Sequence, residues 1–233
     1  MPTCTFCREE DEKENRVRIQ AEELLKNLDG WACQQLSRIG LAPREVKAVM
    51  NRIPKEIKQR LPQKSVKSLN GGEYPEKGFG IGGNTGGGKS MALAAILKTC
   101  FKEKAKANAP KMGHFNIARV LWSCWPDEVN YLRAHALDSD TAERILALQT
   151  VPLLILDDLG RERIRGSYAE DWAASQLDGI INHRYRHEMP ILWTTNVPAA
   201  HLVVLYGSAL VSRLTGDNPL IWFNDLPDMR AGI

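Results

Sequence analysis

Residues 83–90 read Gly83-Asn84-Thr85-Gly86-Gly87-Gly88-Lys89-Ser90, an unbroken G-x-x-x-x-G-K-S. Glycines let a backbone wrap an anion with its N–H groups, and a helix starting near Lys89 adds the positive end of its dipole. Lys89 then neutralises the β- and γ-phosphates of a bound nucleotide, while the Ser90 hydroxyl reaches its Mg2+. A purely structural glycine-rich turn is the competing reading, and the setting weighs against it. GFGIGG (78–83) runs into the loop as a short strand. From Ser90 onward Leu93, Ile96, Leu97, Cys100 and Phe101 share one helical face, as the phosphate-binding strand-loop-helix unit requires.

Downstream, apolar runs alternate with amphipathic helices. Ala118 to Ser123 reads as a strand, with a helix following Asp127. Val151 to Leu156 is a continuous apolar run, as in a central parallel strand covered on both faces. A helix over Tyr168 to Arg186 buries Ala173, Leu177, Ile180 and Ile181, and Pro190 to Thr195 is the next strand. The expected fold is α/β: a P-loop NTPase with a parallel sheet flanked by helices.

Hydrolysis needs acids opposite the phosphate loop. Leu153 to Leu156 lead directly into Asp157 and Asp158, which places both carboxylates at the C-terminal end of a buried strand, where ligands bind in open α/β sheets. Asp157 is the expected metal-associated acid. Asp158 stands where a carboxylate would polarise the attacking water, and its reach, shorter than that of Glu, makes slow or partner-dependent hydrolysis the expectation. A strand-ending turn with an aspartate cap is the alternative. One strand later, Thr194, Thr195 and Asn196 put hydrogen-bonding groups beside the γ-phosphate, with Asn196 suited to position the lytic water. Arg213, within Ser212-Arg213-Leu214 after a helical stretch, could reach the phosphates of a neighbouring subunit and stabilise transition-state charge there.

Together GGNTGGGKS (82–90), LLILDDLG (153–160), SYAEDWAASQLDGIINHRYRHEMPILWTTN (167–196) and SALVSRLTG (208–216) resemble the DnaC-type helicase loaders and the related IstB-type transposition helpers, a clade of AAA+ ATPases. The resemblance spans about residues 70–216, and Ile180 to Tyr185, an IIN-x-RY, is the part most like this clade. It implies Walker A at Gly83–Ser90, Walker B at Asp157 and Asp158, sensor I at Asn196 and an arginine finger at Arg213. The implied activity is ATP-controlled assembly on single-stranded DNA that delivers a replicative helicase ring, with ATP and Mg2+ bound by Lys89, Ser90 and Asp157. Alternatives are an IstB-like helper acting with a transposase on duplex DNA, or an adaptor that binds ATP without hydrolysing it. Only 20 residues follow Arg213, too few for a full helical lid. Arg230 is a poor substitute for a second sensor arginine, so weak intrinsic turnover is expected.

The chain has 233 residues, with hydrophobic residues at 43% and charged ones at 25%, an ordinary globular balance that excludes a disordered or fibrous chain. No run is long and apolar enough to cross a bilayer, and the polar start MPTCTFCREEDEKENR is unlike a signal peptide, so a cytoplasmic protein with reduced thiols is expected. The net charge of +3 is unevenly spread. Residues 1–70 carry 14 Lys and Arg against 10 Asp and Glu, and between Leu41 and Lys67 eight basic residues face only Glu45 and Glu56. Contact with an acidic partner or nucleic acid is one reading, a solvated helix face the other. Helical spacing over Asn15–Leu61, with Val46, Val49, Met50 and Ile53 apolar in its second half, is followed by a Pro-, Gly-, Ser- and Lys-rich stretch, Pro62–Lys77, read as a linker or an irregular entry into the next domain. The expected division is a basic helical partner-binding region over 1–65 and an ATPase domain over 66–233.

Weaker signals remain. Arg161, Arg163 and Arg165 follow the acidic pair and could bind a single-stranded DNA backbone, or form ion pairs with Glu170 or Asp171. Trp122 and Trp125 could stack bases, but packing around the Ala118 strand is the reading adopted. Cys4 and Cys7 form C-x-x-C with only Cys33 as a nearby third ligand, one short of a zinc site. Cys100 and Cys124 are read as core.

Overall fold

A computed structural model describes residues 5–48, 55–108, 120–136, 138–162 and 167–223. Cys4, Val49, Met50, Ile53, Arg163, Arg165 and Arg230 lie outside the described residues, as do the side chains of Cys7, Glu170 and Asp171. In chain order the helices are α1 (Thr5–Lys26), α2 (Leu28–Arg38), α3 (Pro43–Ala48), α4 (Lys55–Arg60), α5 (Gln63–Asn70), α6 (Lys89–Asn108), α7 (Trp125–Ala134), α8 (Ser139–Thr150), α9 (Ser167–Arg186), α10 (Ala199–Tyr206) and α11 (Ser208–Asp217). The strands are β1 (Phe79–Gly83), β2 (Val120–Cys124), β3 (Leu153–Leu159), β4 (Ile191–Thr195) and β5 (Leu220–Phe223). All pairings are parallel, in the order β2-β3-β4-β1-β5, so every connection crosses over through helix.

The period of two along β3 divides the core. Leu153 and Ile155 face a cluster with Phe79, Ile81, Leu93, Ile96 and Phe101, beneath α6. Leu154 and Leu156 face the opposite cluster, with Leu177, Ile180, Ile181 and Trp193, beneath α9. β1 is glycine-rich because tryptophans of both neighbouring strands lie across it: a Cβ on Gly80 would stand 2.3 Å from the Trp193 indole, and one on Gly82 2.3 Å from that of Trp222. Trp122 and Trp125 are buried, which removes them as base-stacking groups, and Cys100 is buried while Cys124 is only half-buried.

The stretch Pro62–Lys77 is not simply a linker. It contains α5, whose Val66 and Leu69 are buried against the α6 side of the core and whose Ser65 hydroxyl donates to the Lys77 carbonyl at 2.8 Å. Residues upstream also dock on the sheet domain. Asp29 on α2 accepts from Lys98 at 2.8 Å and Lys102 at 3.1 Å, both on α6, and Lys98 holds its carboxyl below the usual carboxylate range. The Trp122 N–H donates to the Ile39 carbonyl at 2.7 Å, so the chain after α2 covers the β2 edge. At the other edge Arg60 donates to the Trp222 carbonyl at 2.6 Å and stacks over the Phe223 ring. Among the described residues no helix is long and apolar enough to cross a membrane.

Arg184, inside the IIN-x-RY stretch, is fully buried. Its guanidinium donates to the carbonyls of Leu148, Gln149 and Val151 and to that of Pro190, tying the entrances of β3 and β4 to the end of α9. Burial lowers its pKa to about 10, so it stays charged at neutral pH and serves as a structural clamp. Arg184→Ala leaves these buried carbonyls without their donor, and a loss of about 3 kcal/mol in unfolding free energy is expected from denaturant titration.

Candidate active site

The phosphate loop leaves β1 at Gly83, where only glycine fits: φ is +147°, and a Cβ would meet the Phe223 carbonyl oxygen at 2.4 Å. It enters α6 at Lys89, whose amine is nearly buried and donates to the carbonyls of Gly83 at 2.9 Å and Asn84 at 2.7 Å. The same amine donates to Asn196 Oδ1 at 2.6 Å, which links the end of β4 to the loop. These oxygens satisfy a buried cation while leaving it partners that a phosphate oxygen can replace.

Asp157 ends the α6-facing row of β3, following Leu153 and Ile155. Its Oδ1 accepts from the Ser90 hydroxyl at 2.8 Å and from the Thr194 hydroxyl. Burial pushes its pKa up to about 6, opposed by the Thr194 and Ser90 hydrogen bonds and reinforced by the Asp158 and Glu45 carboxylates. A buried carboxylate one hydrogen bond from a hydroxyl is a hard oxygen pair of the kind Mg2+ takes together with its waters, so these residues fit the cation.

Consecutive residues of a regular strand point to opposite faces, so Asp158 should enter the apolar cluster that holds Leu154 and Leu156. A β-bulge prevents this. Leu156 pairs with Trp193 and Leu159 with Thr195, so Asp157 and Asp158 together stand opposite the single residue Thr194. Leu159 takes the next core place instead. Asp158 adopts φ +59°, a left-handed conformation that aspartate tolerates better than most side chains at a cost of about 1 kcal/mol. Its N–H donates to Thr194 Oγ1 at 2.9 Å, and its carboxylate accepts from Asn196 Nδ2 at 3.0 Å and Arg161 Nη1 at 2.8 Å. Beyond it, the Tyr206 hydroxyl donates to Glu162 and accepts from the Gly160 N–H at 2.8 Å, fixing the turn that carries Arg161.

The structure thus brings Lys89, Ser90, Asp157, Asp158 and Asn196 into one hydrogen-bonded group. The two threonines differ from expectation. Thr194 serves the acids and Thr195 donates to the Leu159 carbonyl at 2.7 Å, which leaves Asn196 as the polar group of that strand end joined to Lys89. Arg161 binds Asp158, a partner that the sequence reading did not consider for it. Arg213, on α11, pairs with Asp178 of α9 at 2.9 Å with both side chains partly exposed.

No protein-family model matches the sequence, and no curated protein does either. Solved structures do match. The DnaC helicase loader is similar with a TM-score of 0.60 at 23% identity, over 78% of this chain and 100% of that one. DnaI is similar with a TM-score of 0.55 at 22% identity, over 81% and 94% of the two chains. AMPPCP-bound DnaA from Aquifex aeolicus gives 0.51 at 25% identity over 78% of this chain and 50% of that protein, so this chain spans half its length. The chain therefore has the α/β AAA+ P-loop fold of these solved structures, in line with the resemblance carried by the motifs.

The exposed Arg213–Asp178 pair contributes little to folding, because solvent screens it. Arg213→Ala and Asp178→Ala should each change unfolding free energy by less than about 1 kcal/mol in thermal or denaturant unfolding, so any functional loss in either variant is not a folding effect.

Proposed function

We propose that this chain is a DnaC-like replicative helicase loader, a weak ATPase of the cytoplasm that binds single-stranded DNA and delivers a helicase ring during replication. The observation that carries this reading is the joining of the phosphate loop to both acids and Asn196 at the C-terminal ends of β1, β3 and β4, in a fold similar to the DnaC loader over its whole length.

In this reading the loop N–H groups and Lys89 bind the phosphates of ATP, and the Lys89 amine exchanges its carbonyl partners for phosphate oxygens. Ser90 and Asp157 hold Mg2+, which supplies charge neutralisation at the phosphates when bound. Asp158 orients water and takes its proton as the water oxygen bonds to the γ-phosphorus and the bond to the β-phosphate oxygen breaks. Asn196, already bonded to both Lys89 and Asp158, keeps base and cation in register. Arg213 of a second copy meets the γ-phosphate, and self-association through this contact completes the site. Turnover is slow in isolation because Asp158 is short and each of its oxygens already accepts a donor.

Arg161, Arg163 and Arg165 form the proposed contact with single-stranded DNA. Arg161 is 58% exposed in its pair with Asp158, a contact weak enough for a phosphodiester to compete with. The basic region over 1–65 is the proposed grip on the helicase, ahead of an ATPase domain over 66–233.

Lys89→Ala should abolish binding of a fluorescent ATP analogue, and unchanged affinity contradicts the site. Single-stranded DNA should raise single-turnover ATP hydrolysis in the native chain, and Arg161→Ala should reduce that stimulation at least about threefold. No hydrolysis with or without DNA means an ATP-binding adaptor. Capture of a hexameric helicase supports the loader, whereas capture of a transposase supports the IstB-like helper.

A further inference from the structure

Thr194 is a polar residue at the centre of a parallel sheet, in a strand that begins with the core residues Ile191, Leu192 and Trp193. It is fully buried. A hydroxyl there is unfavourable unless its hydrogen-bonding capacity is filled, and valine would match its shape without that penalty. Both capacities of the Thr194 hydroxyl are used, each on a different acid. Its proton goes to Asp157 Oδ1, and its lone pair receives the Asp158 N–H at 2.9 Å.

These two bonds fall at the bulge, where two residues of β3 oppose one of β4. A bulge leaves a backbone group without its ladder partner. Here the orphan is the Asp158 N–H, and a side-chain oxygen takes the place of the missing carbonyl. The left-handed backbone of Asp158 thereby keeps a buried anchor, while the neighbouring carboxylate is held by one edge against Ser90.

We propose that Thr194 is the positioning residue for the acidic pair: its single hydroxyl fixes the rotamer of Asp157 and stabilises the bulge that turns Asp158 away from the core and toward Asn196. Its role rests on the reading of Asp157 and Asp158 as the metal-associated acid and the base of an ATPase. The hydrogen bonds of its hydroxyl go to the two acids rather than to Lys89 or Ser90. It acts only through the two acids.

Three substitutions separate its parts. Thr194→Ser keeps the hydroxyl and removes the methyl, Thr194→Val keeps the shape and removes the hydroxyl, and Thr194→Ala removes both. Binding of AMPPCP to the full chain is measured with and without Mg2+, together with kcat and KM for ATP. Thr194→Ser should match the native chain within about twofold in each quantity. Thr194→Val should keep Mg2+-free AMPPCP affinity within about threefold, because Lys89 and the loop are untouched, yet need about tenfold more Mg2+ for full binding. Its kcat should fall at least about tenfold with little change in KM. If Thr194→Val does not fold, Thr194→Ala supplies the same comparison.

Equal Mg2+ requirement and equal kcat in the hydroxyl-free and hydroxyl-bearing variants overturn the positioning role. So does equal loss in Thr194→Ser and Thr194→Val, which would mean that any change at this buried position disturbs the site whether or not the hydroxyl is kept. If instead the native chain binds AMPPCP with no dependence on Mg2+, the ATPase reading fails, and the positioning role falls with it.

Discussion

Two adjacent carboxylates of one strand join a single hydrogen-bonded network at its C-terminal end, and the pleat of a regular strand forbids it. The pleat sends Asp157 to the α6 face and would send Asp158 into the cluster around Leu154, Leu156 and Trp193. One inserted residue resolves the conflict: Leu159 fills the core position, and Asp158 is released at the C-terminal end of β3. Lys89, Ser90, Thr194 and Asn196 then close a network around the acids that joins the ends of β1, β3 and β4. Because each contact links a different strand end, the shape of the site is set by the sheet order, with β4 lying between β1 and β3.

How much of this was legible depended on how local each signal was. The phosphate loop, β3 and β4 were readable because a glycine string and uninterrupted apolar runs need no knowledge of the neighbours. Asp157, Asp158 and Asn196 could be placed at strand ends for the same reason. The bulge was not readable, since LLILDDL fits a regular strand equally well and only the pairing with β4 shows the extra residue. α5 was misread as a linker because QKSVKSLN is mostly polar, and just Ser65, Val66 and Leu69 are buried. The four-residue β5 was missed because three of its residues are only half-buried, which blurs both the alternation and the continuous apolar pattern that mark strands. Arg161 was read as a DNA-backbone contact or an ion-pair partner of Glu170 or Asp171, and only the turn fixed by Tyr206 and Glu162 brings it to Asp158.

The N-terminal helices gain meaning from the same geometry. α6 starts at Lys89 in the phosphate loop, and further along carries Lys98 and Lys102, which both hold Asp29 of α2. Leu36 of α2 and Leu93 and Ile96 of α6 lie in one buried cluster. α2 is thus packed and ion-paired on the same helix whose first turn carries Lys89 and Ser90. Arg60 makes a second tie at the opposite edge, on β5, beside the Phe223 carbonyl that crowds Gly83. The basic region proposed to grip a partner is thus continuous with the walls of the proposed nucleotide site.

The most direct measurement is a crystal structure of the chain with AMPPCP and Mg2+. The expected result is a terminal phosphate hydrogen-bonded to the Lys89 amine, the cation beside the Ser90 hydroxyl and Asp157, and Asp158 still left-handed with its N–H on Thr194. A triphosphate seated elsewhere, or Asp157 and Asp158 turned away from it on a strand without the bulge, would contradict the account.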